Sequence, residues 1–143
     1  MPDDKKWILY ALLGALFAAV SNVLSKPALD KMDVSAANTV RAVSMLVVLG
    51  AAVTVQGKWP TLAQTPPKAM SFIILAGVAA GMSWLFGYAA LQLTTVNNSY
   101  PIDKLSVVFG VLLAIVFLGE RPGLVNWVGI AMILAGGYLV VRD

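Results

Sequence analysis

Arg41 and the adjacent pair Asp103 and Lys104 are charges that lie inside long apolar runs, where no membrane edge is within easy reach. Ionisable groups buried in a bilayer are costly and mark solute or ion pathways, so these three are the first candidates for chemistry. Around them stand neutral polar and aromatic residues suited to binding a solute: Ser21, Asn22, Trp84, Tyr88, Asn98 and Ser106. No catalytic set accompanies them. The chain has neither Cys nor His, so it has no thiolate or imidazole to act as nucleophile, general base or metal ligand. An enzyme, a bound cofactor and a metal site are therefore not expected.

The elements that must position these residues are five apolar runs at about residues 7–25, 34–56, 69–93, 99–118 and 124–141. At ~1.5 Å per residue, a helix of roughly 20 residues crosses a hydrocarbon core about 30 Å thick. With 59% hydrophobic residues and a mean hydropathy of +0.84, little remains for anything else. Backbone polar groups cannot go unpaired in lipid, and the alternating ten-residue segments of a barrel are absent. The expected fold is all-α, a polytopic membrane protein of five transmembrane helices, with residues 1–6 as an N-terminal tail and 7–142 as one domain.

Charges and breakers separate the runs. Lys26 to Asp33, Lys58 with Lys68, and Glu120 with Arg121 fall between them, and Pro60, Pro66, Pro67 and the stretch from Gly119 to Gly123 supply turns. Lys5 and Lys6 before run 1 resemble the start of a signal peptide, but a run of spanning length followed by four more is read as a retained helix. The net charge of +3 is scattered over short loops, which excludes a nucleic-acid surface. Lys5, Lys6, Lys58, Lys68 and Arg121 on one side against Lys26, Lys31 and Arg142 on the other give only a weak orientation bias, compatible with insertion either way.

Helical spacing sorts the candidates. In run 1, Gly14, Ala18, Ser21, Asn22 and Ser25 form a small and polar stripe, either a packing surface or a solute wall. In run 3, Gly77 and Gly81 allow close helix approach, and Trp84, Tyr88 and Gln92 continue along that face. Run 4 opens on Thr94 to Pro101, a polar entry with a first-turn proline, which places Asp103 near the positive end of its helix dipole. Ser99, Asp103, Ser106 and Gly110 then share one face and Lys104 falls on another, free to snorkel. If the helices alternate direction, Arg41 and the start of run 4 share a membrane side, and an Arg41–Asp103 pair would relieve both burial costs.

The ordered set of Ser25-Lys26-Pro27-Ala28-Leu29, Arg41, Ala89-Ala90-Leu91, Pro101, Leu118-Gly119-Glu120, and Gly129 with Gly136-Gly137 resembles an EamA domain of the drug/metabolite transporter superfamily, over about residues 8–141. The resemblance implies a cell (inner) membrane carrier of small metabolites, often an exporter, working by alternating access. Many such carriers hold two of these domains in opposite orientation. An odd number of spans makes an antiparallel homodimer, or a pairing with a second small membrane subunit, the equivalent for one domain. Run 1 lacks the membrane-embedded glutamate of the small multidrug-resistance branch, so a neutral or zwitterionic solute fits better than a large organic cation. The alternative is a non-transporting assembly or modifier subunit whose polar residues only bind helices together.

Overall fold

A computed structural model describes residues 5–142 and shows them as all-helical. The helices are α1 (Lys6–Leu29), α2 (Val34–Val55), a short α3 (Trp59–Ala63), α4 (Pro67–Leu93), α5 (Val96–Asp103), α6 (Ser106–Leu113), a π-helical turn (Ala114–Leu118) and α7 (Leu124–Arg142). Of the tail expected over 1–6, Met1 to Asp4 lie outside the described residues. Packing divides the described residues into two compact units, one ending at Gln92 and one starting at Leu93.

Four segments are long and apolar enough to span a membrane: α1, α2, α4, and residues 96–118 taken together. The fifth expected span is the shorter apolar helix Leu124–Val140, so five full-length spans are not established. Few apolar side chains are buried, namely Leu29, Tyr88, Leu91 and Ile130 among the described residues, while Leu46, Phe72, Phe117 and many others are exposed. A water-soluble domain would hide these groups, whereas spanning helices present them to lipid.

The starts and stops follow local chemistry. Asp33 caps α2, its carboxylate accepting from the Ser35 and Ala36 amides at 2.8 and 3.2 Å. At the other end Gly57 takes φ +63°, with Gly57 N–H donating to Thr54 O and Lys58 N–H to Val53 O. That paired pattern is a Schellman stop, and it needs a residue at ease in the left-handed region. Gly119, also left-handed at φ +68°, ends the π turn differently, with its own amide and that of Glu120 both donating to Ala114 O. The loop after α2 holds the single turn α3, which the run pattern did not show; Pro60 sits in its first turn and Trp59 Nε1 donates to Thr54 Oγ1 at 3.1 Å.

Two boundaries differ from the sequence reading. Helix α1 continues through Pro27 to Leu29, which is fully buried and anchors that last turn. The fourth span starts at Val96, with Thr95 as its cap, so Pro101 stands inside α5 rather than in a first turn. Beyond Pro101 the amides of Lys104, Leu105 and Val107 bond three residues back, to Pro101, Ile102 and Lys104, and the helix restarts at Ser106. Asp103 therefore ends α5, three residues before α6 begins, instead of lying in the first turn of one unbroken span.

Candidate functional site

In the first unit three helix ends converge: the last turns of α1 and α4 and the first turns of α2. The carbonyls of a helix's last turn lack intrahelical donors and must find others. Here α1 and α4 supply each other. Lys26 Nζ donates to Leu91 O at 2.8 Å, and Gln92 Nε2 donates to Leu29 O at 2.9 Å and to Met32 O at 3.4 Å. Lys26 also pairs with Asp30 at 3.6 Å, one turn along. Leu29 and Leu91 are buried beside these bonds, so apolar packing and carbonyl capping coincide.

One turn further in, the Ser25 hydroxyl hydrogen-bonds Tyr88 Oη and donates to Ser21 O at 2.7 Å. Tyr88 is only 4% exposed, and its hydroxyl is matched as a buried phenol requires. From α2, Arg41 places its guanidinium carbon 4.6 Å from the Trp84 ring centroid and 5.1 Å from that of Tyr88. Trp84 and Tyr88 are four residues apart on α4, so a single cation covers both rings. Among the described residues Arg41 has no ion-pair or hydrogen-bond partner.

Asn38, three residues before Arg41 on α2, joins the same group. Its side chain is buried, and Nδ2 donates to Val34 O at 3.1 Å and Trp84 O at 3.3 Å. Oδ1 is shielded from solvent and receives no hydrogen bond. Lys26 and Gln92 were noted in the sequence without these bonds, whereas Asn38 was not singled out. The available signal was its spacing from Arg41, which puts both on one helix face.

Of the residues picked from sequence, the first unit brings together Arg41, Trp84 and Tyr88. Ser21 joins through its carbonyl. Asn22 is half-buried and makes no hydrogen bond among the described residues.

The second unit holds the others. Asp103 and Lys104 pair directly, Oδ2 to Nζ at 3.3 Å, and Lys104 Nζ lies 4.5 Å from the Tyr100 ring centroid. The expected rotation of these two charges to separate faces fails because the helix breaks at 104–105, which frees neighbouring side chains to meet. Asp103 is 58% exposed. Asn98 serves the start of α5, its amide N–H donating to Thr95 Oγ1 at 3.4 Å and Nδ2 to Thr94 Oγ1 at 3.3 Å. Ser106 is exposed at the first position of α6. A groove of about 550 Å³ runs between α6 and α7 with Glu120, Arg121 and Asn126 among its lining residues, and a smaller pocket of about 180 Å³ is lined by Pro101, Lys104 and Tyr138. Arg41 and Asp103 thus belong to different units, each with its own partners.

Chemically, the first-unit cluster is a cation held by aromatic faces beside an acceptor without a donor. Such a group is suited to binding. The family described as the EamA-like transporter family matches residues 5–142. A Sinorhizobium sp protein named as an uncharacterized transporter in the cobO 3' region is 37% identical over 137 residues, which cover 96% of this chain and 97% of that relative. No solved structure matches the chain.

Proposed function

The chain belongs to the EamA-like transporter family and is a membrane transporter, and we propose that it carries a small organic solute across the cell's inner membrane as an exporter. The observation that carries this reading is Arg41, a cation without an acidic partner among the described residues, stacked on Trp84 and Tyr88 inside a spanning segment. A fixed charge inside a span is costly and marks a solute or ion pathway. Asn22 and Ser21 extend the wall along α1.

The working unit is proposed to be paired, as an antiparallel homodimer or with a second small membrane subunit, rocking about a central site in alternating access. Coverage of 97% of the Sinorhizobium relative leaves that protein little room for a second repeat, which supports one-repeat subunits as a working form. Within the second unit, Asp103, Lys104, Asn98 and Ser106 are proposed as coupling or solute-contact residues. Asp103 is the carboxylate within a span among the described residues, and its coupling role is part of this proposal.

The test is solute flux in reconstituted vesicles. Asp103→Asn and Arg41→Gln should each abolish movement of solute while leaving the protein inserted and monodisperse. A loss of stability or assembly with no flux in the parent protein would instead identify a membrane assembly or modifier subunit. The inter-helix bonds of Lys26 and Gln92 are the observation that favours that second reading, since they bind helices without facing a solute.

A further inference from the structure

Glu120 and Arg121 are opposite charges side by side, yet among the described residues neither pairs with the other or with any third group. They stand in the turn between residues 96–118, long enough to span a membrane, and the apolar helix that follows, which puts them at a membrane edge. The backbone beneath them is fixed. Gly119 turns the chain at φ +68°, Glu120 N–H donates to Ala114 O at 3.3 Å, and the amides of Asn126 and Trp127 bond back to Gly123 O as α7 begins. Both charges line one end of the groove of about 550 Å³ between α6 and α7.

That groove follows from the break in the fourth span. Helix α5 packs on α7 so closely that a Cβ on Gly137 would meet Pro101 O at 3.4 Å. Beyond Lys104 and Leu105, α6 leaves α7, and the turn from Gly119 to Gly123 rejoins them. Away from the charges the lining is apolar, with Val111, Gly129 and Ile133 around Ile130, which is 8% exposed. At ~1.5 Å per residue, Val111 and Ile133 lie roughly 10–13 Å deeper than the two charges. A charged end at the membrane edge and an apolar channel running inward match an amphiphile, and the volume falls within the range of about 300–1,000 Å³ usual for ligand sites.

We propose that this groove holds one phosphatidylethanolamine molecule, its phosphate on Arg121, its ammonium on Glu120 and one acyl chain along Val111, Gly129 and Ile130. Arginine's planar fork suits phosphate oxygens, and basic sites between spanning helices take lipid headgroups in this way. The neighbouring carboxylate supplies the selection. It repels a purely anionic headgroup and accepts from an ammonium that keeps its N–H groups, whereas the trimethylated headgroup of phosphatidylcholine has none to donate. The site stands independently of which solute crosses the membrane.

Native mass spectrometry of the delipidated full chain, released from detergent micelles, reports both bound lipids and the number of protomers. The probes are phosphatidylethanolamine, phosphatidylcholine and phosphatidylglycerol with identical acyl chains. Phosphatidylethanolamine should form a single adduct per protomer, roughly three- to fivefold tighter than either of the others, the scale of an ion pair at an exposed edge. Glu120→Gln should bring its ratio to phosphatidylcholine down to about one and strengthen phosphatidylglycerol, while Arg121→Gln should weaken all three. Gly129→Leu adds a side chain where nothing lies within 4 Å of a Cβ, and replaces a helix-interior glycine by a better helix former. It should remove the single adduct with no fall in unfolding temperature.

Equal adducts of all three lipids on the parent protein would identify lipid held only as part of the surrounding layer and would overturn the assignment. So would an unchanged ratio in Glu120→Gln, or phosphatidylglycerol binding tightest to the parent. A dimer that Gly129→Leu converts to monomer, with the lipid count unaltered, would show that a second copy of the chain fills the groove instead.

Discussion

The ammonium group of Lys26, at the end of α1, closes the last turn of α4 by donating to the carbonyl of Leu91, while Gln92 returns a bond to Leu29 O. Two parallel helix ends, each with unpaired carbonyls and a negative dipole terminus, are held at one level by a cation and an amide.

Gln92→Leu should therefore destabilise the protein by about 1 kcal/mol, the usual scale for a polar bond between membrane helices. Lys26→Met should cost more, about 1.5–3 kcal/mol, because its bond is charge-assisted. Unfolding in micelles measures both, and the double variant should depart from the sum because the residues share two helix ends. Additive losses would mean that the two bonds act separately.

Arg41 and Trp84 should show a favourable coupling of about 0.5–2 kcal/mol in a double-mutant cycle of Arg41→Gln and Trp84→Ala. Trp84→Phe should keep part of it, since a smaller ring presents a weaker face. No coupling would show that the ring merely lies beneath the guanidinium.

Gly57→Ala and Gly119→Ala test backbone conformation alone. Nothing lies within 4 Å of where a Cβ would be at either site, yet both have positive φ. Each substitution should cost about 1–2 kcal/mol in unfolding free energy. The same change at Gly77, in a helix with equally open surroundings, should stabilise α4 slightly.

Asp33→Ala removes an oxygen that accepts from two amides at the start of α2. A loss of about 1 kcal/mol is expected. Asp33→Ser should recover most of it, which isolates capping from charge.

Insertion is read by single-cysteine labelling near Lys31, Gln64 and Asn97 in this cysteine-free chain. Labelling of each site from both membrane faces supports the antiparallel homodimer. One-sided labelling sends the search to an oppositely inserted partner.

Four of the expected spans and much of their punctuation were legible because apolar length, proline and glycine act locally. Asp33, Gly57 and Gly119 end or begin helices for reasons carried within a few residues. The break at Lys104 was not legible, since a one-turn shift in the start of α5 turns Pro101 from an entry residue into an interior one. Trp84 and Tyr88 stood out by type and Arg41 by charge, and the fold brings these three together. Asn38 did not stand out, and the bonds of Lys26 and Gln92 were not legible, because their meaning lies in carbonyls and rings on other helices, and one-dimensional spacing does not reveal which helix end meets which.

Residues 7–18 of α1 and 71–79 of α4 are all exposed, whereas the buried residues of these helices lie toward the ends where Lys26 and Gln92 bond across. The two helices are thus pinned at one end, which makes each a lever. Helix α1 has 24 residues, so it is about 36 Å long, and a tilt of about 10° about its pinned end carries the far end roughly 6 Å. In the carrier proposed above, such a swing would open the far end while the Lys26–Leu91 and Gln92–Leu29 bonds stay made.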